Sequence, residues 1–280
     1  MLIRYGYELT FECTQPTLML CLLDAHEDRA HEIVYNSGFK TTPAIGSSSY
    51  NDSFGNQVRK FVAPAGSLTI SRDCVIQDTG QPDPIIEGAQ EVPLDRVPNE
   101  YLVYLLGSRY CETEKLSQIA WDLFGSTPTG WHRVKAICDF VNAHVAFGYQ
   151  FARNTRTAFE TYQEKVGVCR DFAHLAVTFC RCMNIPARYA NGFLGDIGVP
   201  PDPAPMDYSA WFEVFLDGRW ITFDARHNHP RIGRILVSYG RDATDISLVT
   251  SFGPHRLDQF RIWAEEVDAV AADELARRSA

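Results

Sequence analysis

Gly167-Val168-Cys169-Arg170-Asp171-Phe172-Ala173-His174-Leu175-Ala176 places a cysteine at the opening of an apolar periodic run. Phe172, Leu175, Ala176, Phe179 and Met183 recur at helical spacing, which predicts a helix starting at or near Cys169 with that face inward. The first N–H groups of a helix lack partners and its dipole is positive there. A thiol at that point is favoured as thiolate below its reference pKa of about 8.5. The same N–H groups can receive a developing oxyanion. Cys169 is the candidate nucleophile. His174, five residues on, lies about 140° round the helix and cannot serve that cysteine as base. It reads as a packed or capping histidine.

The second informative stretch is a strand pair. Ala210, Phe212, Val214 and Leu216 alternate with Ser209, Trp211, Glu213 and Phe215, and Asp217-Gly218 is a type I′ hairpin signal before Arg219 to Asp224 returns. A two-residue loop sets Leu216 opposite Arg219, Trp211 opposite Asp224 and Ser209 opposite Arg226. Ser209 then lies diagonal to Asp224 on one face, about 7–8 Å apart at the backbone. An imidazole at 209 would bridge that gap; a serine hydroxyl would not. His227 falls opposite Tyr208 and points to the other face if the strand runs that far, which makes it a poor substitute base.

Working outward, residues 1–95 read as an all-β, sandwich-like domain. Ile3, Tyr5, Tyr7, Leu9 and Phe11 alternate with Arg4, Gly6, Glu8 and Thr10, and Leu18 to Leu23 is a short apolar run typical of a more deeply buried strand. Pro82, Pro84, Pro93 and Pro98 give the following stretch a linker composition, hostile to helix and to central strand alike. Residues 96–245 then turn helical. Thr113 can cap a helix carrying Leu116, Ile119, Ala120 and Leu123, and Trp131, Val134, Cys138, Val141 and Val145 mark the inward stripe of a second. Residues 246–280 read as C-terminal strands and a tail. The expected fold class is α+β: a helix-borne cysteine packed on an antiparallel sheet, preceded by an all-β domain.

Composition removes several function classes. The 280 residues carry a net charge of −9 without basic runs, which argues against nucleic acid or an anionic membrane as partner. The apolar run near the start ends at Asp24 and is too short to span a bilayer. Cys13, Cys21, Cys74, Cys111, Cys138, Cys169, Cys180 and Cys182 form no CxxC pair and read as reduced thiols of a cytoplasmic protein. Cys180 and Cys182 have no matching second pair for zinc, and His227-x-His229 reads as ordinary solvent-facing histidine rather than a metal grip. No phosphate-binding glycine loop or EF-hand spacing occurs, so no cofactor is expected.

The residues 167–174, together with Ala210-Trp211-Phe212-Glu213-Val214, Gly218-Arg219-Trp220 and Phe223-Asp224-Ala225-Arg226-His227-Asn228, resemble the bacterial transglutaminase-like proteins, many of them labelled as cysteine proteases. The resemblance extends over most of the chain, since many members carry a β domain ahead of the core. It implies a papain-like core, a Cys–His–Asp triad, and amide cleavage or acyl transfer on a peptide or protein substrate. Cys169 matches the nucleophile and Asp224 the orienting acid, while Ser209 stands where the family has histidine. That departure removes both the base for the thiol and the acid for the leaving amine. Loss of a triad histidine costs about 10⁶-fold in an unrelated serine protease. The alternative reading is a catalytically impaired member that binds a peptide or protein in the same cleft.

Overall fold

The computed structural model describes residues 1–278. Seven strands come first: β1 (Leu2–Cys13), β2 (Thr17–Cys21), β3 (Ile33–Asn36), β4 (Lys40–Thr42), β5 (Ser47–Asn51), β6 (Gln57–Ala63) and β7 (Gly66–Gln77). The helical part holds α1 (Thr113–Phe124), α2 (Trp131–His144), β8 (Ala146–Phe147), α3 (Ala158–Glu164), β9 (Val166–Gly167) and α4 (Cys169–Cys182). Then follow β10 (Ala187–Leu194), β11 (Ser209–Leu216), β12 (Arg219–Phe223), β13 (Arg234–Gly240), β14 (Val249–Ser251), β15 (His255–Val267) and α5 (Ala269–Arg278).

Two antiparallel sheets make the β-rich N-terminal region. One runs β15-β1-β7-β3 with β4 also on β7, and the other runs β14-β2-β6-β5. The alternation read in β1 buries Ile3, Tyr5, Tyr7, Leu9 and Phe11. β2 instead alternates buried and half-buried positions, because one of its faces lies away from the sandwich core. The C-terminal strands complete both sheets, β15 pairing along the whole of β1 and β14 pairing with β2.

The second half is a four-stranded antiparallel sheet, β12-β11-β10-β13, with α4 laid across it. Phe172, Leu175, Ala176 and Phe179 of α4 meet Phe212, Val214 and Leu216 of β11 and the inner faces of α1 and α2 in one apolar core. On α1 the buried stripe is Leu116, Ala120 and Phe124, and Leu123 faces outward. A second core joins Ile3 and Tyr5 of β1 to Phe193 of β10 and Ile235 of β13, so the two halves pack directly on each other.

The proline-rich stretch forms no α-helix, only a 3-10 turn at Leu94–Arg96 and isolated bridges at Pro82–Ile232 and Glu91–Leu216. It is nonetheless tied down. Asp83 accepts from Arg231 N and Arg234 Nε, the Ala89 carbonyl accepts from Trp131 N, and Glu91 pairs with Arg133 at 3.0 Å. Linker composition here forms a strap across the core. Its carboxylates take the place of a ladder in anchoring it.

Candidate active site

The start of α4 is built by its own sequence. Asp171 is fully buried and reaches back to accept from Val168 N at 3.0 Å, occupying one of the donors a helix start leaves open. Arg156 Nη1 donates to the same carboxylate at 3.1 Å. This fold-back needs glycine at 167, where a Cβ would stand 2.6 Å from the Asp171 Cβ. The helix begins at Cys169.

Among the eight thiols, all free, Cys169 is the one not fully buried. Its Sγ lies 4.0 Å from the Tyr208 carbonyl oxygen and receives the Ala210 N–H, so it rests against both neighbours of Ser209. Ala173, Tyr189, Ala210 and Ile246 pack around it. Burial pushes the thiol up to about 11, outweighing the Arg226 cation and the Ala210 N–H that act in the opposite sense. The resting group is thus a neutral thiol, where the helix start alone led to the expectation of a thiolate. The difference lies in desolvation by side chains distant in sequence.

A cavity of about 800 Å³ opens at Cys169, lined also by Arg170, Tyr189, Asp207 and Ser209. A second, of about 650 Å³, is lined by Tyr149, Asp207, Ser209, Arg226, His227 and Arg231. Asp207 and Ser209 belong to both cavities. No histidine lines the thiol's own cavity among the described residues. Arg226 lies 3.8 Å from the Phe147 ring centroid, which holds its charge at the mouth of the second cavity.

The β11–β12 hairpin has the register read from the sequence, Leu216 opposite Arg219 through Phe212 opposite Phe223. Asp217 and Gly218 both have positive φ, at 47° and 75°, as a type I′ turn requires. β12 stops at Phe223, however, and the chain turns. Asp224 Oδ1 accepts from Arg226 N and His227 N, both at 3.0 Å. Its Oδ2 accepts from Arg234 Nη2 and pairs with His227 Nδ1, both at 2.8 Å. His227 therefore does not point to the opposite face. The carboxylate wraps the turn around itself and draws the imidazole to it. Burial would raise the Asp224 carboxyl, but Arg234 and His227 outweigh it and hold the group well below the usual carboxylate range.

Of the residues singled out in the sequence, the fold brings Cys169 and Ser209 to one cavity, while Asp224 lines neither of the two. Trp211, Phe193 and Tyr208 are core, and the Tyr208 hydroxyl donates to the Leu23 carbonyl. His174 is fully buried, stacked on Tyr110, and accepts from Ala243 N at 3.1 Å. The His227 and His229 rings meet edge to face, with centroids 6.1 Å apart, and His229 Nδ1 turns to the Pro230 carbonyl. The sequence reading set His227 aside as a poor base and gave Arg226 and Arg234 no role. A signal for the first was present: an Asp whose side chain can cap the amides two and three residues on ends a strand as readily as it continues one.

Residues 118–225 match the family model described as the transglutaminase-like superfamily. The chain is 27% identical to the crystal structure of a "Putative Cysteine Protease from Cytophaga hutchinsonii". The TM-score is 0.82, and the match covers 96% of this chain and 91% of that one. An uncharacterised protein of Mycobacterium leprae is 35% identical over 85 residues, 29% of this chain and 30% of that protein. The periplasmic domain of TgpA from Pseudomonas aeruginosa is more distant, 14% identical at TM-score 0.42, over 80% of this chain and 70% of that one. Residues 118–225 are thus similar to a transglutaminase-like core, and they follow a β-rich N-terminal region. No described helix is long and apolar enough to cross a membrane.

Proposed function

We propose that this chain is a cysteine-dependent hydrolase or acyltransferase acting on amide bonds of a peptide or protein, with Cys169 as nucleophile and Asp224 as the orienting acid. Ser209 holds the place of the family's histidine. The observation that carries this reading is the partly buried Cys169 at the first turn of α4, its sulfur against the Ala210 N–H and lining a cavity shared with Ser209. The free amides of that turn provide an oxyanion site without further groups. Eight free cysteines suit a reducing compartment, hence the cytoplasm. A second reading, a cleft that binds a peptide without cleaving it, is favoured by the neutral thiol and the absence of histidine from its cavity among the described residues.

The test is mass spectrometry of the intact protein after iodoacetamide at several pH values and, separately, after 4-nitrophenyl acetate. Cys169 should alkylate before the other seven thiols, with a rate still rising above pH 9, and should form an acyl adduct absent from Cys169→Ala. Uniform labelling, or no adduct on Cys169, would turn the assignment to the binding reading.

A further inference from the structure

His227 holds the arrangement that Ser209 lacks. Its Nδ1 sits 2.8 Å from Asp224 Oδ2, the base–orienter contact of a nucleophilic triad. With Nδ1 turned to the carboxylate, Nε2 is the nitrogen left for the cavity that the ring lines, and the side chain keeps 17% of its surface exposed. The Arg226 and His227 backbone N–H groups donate to Asp224 Oδ1 and Arg234 Nη2 donates to Oδ2, which fixes the carboxylate, so the ring is held by a rigid support. Between this cavity and the thiol's stands Ser209, which lines both, and whose neighbours 208 and 210 touch the Cys169 sulfur.

We propose that His227, oriented by Asp224, is the proton acceptor for Cys169, and that the Ser209 hydroxyl carries the proton between them. The inference rests on the cysteine-enzyme reading above. Ser209 Oγ takes the proton from Cys169 Sγ while giving its own to His227 Nε2, and the thiolate adds to the substrate carbonyl. The C–N bond then breaks, and the imidazolium returns its proton along the same path to the departing amine nitrogen. Water hydrolyses the thioester by the same exchange, its proton passing to His227 and on to the released thiolate. Protons and bonds balance with water as the one co-reactant, and serine's role is that of a group which both accepts and donates.

The experiment is the rate of acyl-Cys169 formation from 4-nitrophenyl acetate, followed by mass, in wild type, Cys169→Ala, His227→Gln, Ser209→Ala and the double variant. His227→Gln should slow acylation about 100-fold, the low end for a placed base. Ser209→Ala should also slow it, and the double variant should be no slower than His227→Gln, since both act on one proton path. Glutamine can still donate to Asp224, and a thermal melt of each variant separates loss of fold from loss of transfer. Should His227→Gln misfold, Ser209→Ala, outside the turn, carries the test. Wild-type rates in His227→Gln, or in Ser209→Ala, or strictly multiplicative effects in the double variant, would overturn the relay and leave Cys169 as nucleophile intact. No adduct in the wild type overturns the enzyme reading itself, and the relay with it.

Discussion

Replacing Asp224 with asparagine keeps the size of the side chain and removes its charge, so the cost can be assigned contact by contact. The amide oxygen can still accept from Arg226 N and His227 N, which lie at 3.0 Å in the wild type. The new NH₂ then faces His227 Nδ1 and Arg234 Nη2, both now at 2.8 Å from an acceptor. The imidazole can change tautomer and accept; the guanidinium has only donors to offer. Arg234 is 8% exposed, and its Nη1 already lacks a partner. After the substitution Asp83, at 2.8 Å, is the one carboxylate left to it. Removing one partner of a buried pair costs about 3–5 kcal/mol, and the surviving Asp83 contact argues for the lower end, about 3 kcal/mol.

In a thermal melt that loss is a fall of about 6 °C or more. The pH dependence gives an independent check. The folded-state carboxyl is held below its unfolded value, chiefly by Arg234 and His227 against the opposing effect of burial. Its contribution is therefore present above the unfolded pKa of about 3.9 and is lost as pH falls below it towards the depressed folded value. The gap between wild type and Asp224→Asn should be full at pH 7 and close on acidification. A variant within about 1 kcal/mol of wild type at pH 7, far under the cost of an orphaned buried charge, would refute the reasoning, as would a gap that stays constant into acid.

Two further outcomes follow. Ser209→His puts an imidazole beside Cys169, and acylation should rise at least about tenfold, part of what a placed base can give; in that background His227→Gln should no longer matter. An unchanged rate would mean that the new ring cannot reach the sulfur. His174→Phe removes the acceptor for Ala243 N and should cost about 1–3 kcal/mol at pH 7. Burial holds the His174 imidazole far below the usual histidine value, so its stabilising effect is complete above about pH 6.5 and drains away as pH falls and the unfolded chain takes up the proton. Urea melts from pH 7 to 4.5 should show that slope reduced in the variant, and an equal slope in both would exclude His174 as its source.

What could be read from the sequence was what neighbours in the chain decide. The opening of α4 depends on Gly167, Cys169 and Asp171 within one turn, and the β11–β12 register on Asp217-Gly218, so both were legible. The return of β15 to β1 was not, because strand alternation fixes which face is buried and leaves the pairing partner open. The strap of 82–98 was read as a linker because the groups that hold it, Arg133, Arg231 and Arg234, lie 40 or more positions away. Asp224 gave the harder case. The hairpin register places it opposite Trp211 at the end of the returning strand, whereas β12 stops one residue earlier and Asp224 opens a turn. Arg234 comes from another strand, and the turn that brings in His227 is made by the carboxylate capping its own backbone.

The neutral thiol and the distant imidazole bear on the same step. A thiol at about 11 is ionised in only about one molecule in ten thousand at pH 7, against a few in a hundred for a free cysteine. The intrinsic nucleophilicity of the rarer thiolate is greater, with a Brønsted coefficient of about 0.4–0.5, and this recovers about tenfold of that deficit. The net handicap over free cysteine is about 20–30-fold, with the Arg226 cation and the Ala210 N–H already counted. Helix amides aimed at the oxyanion are worth about 100-fold or more, which exceeds it. On the proposed reading, the site would therefore form an acyl-enzyme slowly without a base. What it cannot do by that route is protonate a departing amine, a need that an activated ester with a stable anion as leaving group does not have. The comparison of an aryl ester with the matching anilide thus separates the two deficits. If His227 works through Ser209, both substrates turn over and His227→Gln harms the anilide more. If the site has only its cysteine and amides, the ester alone acylates Cys169, and His227→Gln leaves that rate unchanged.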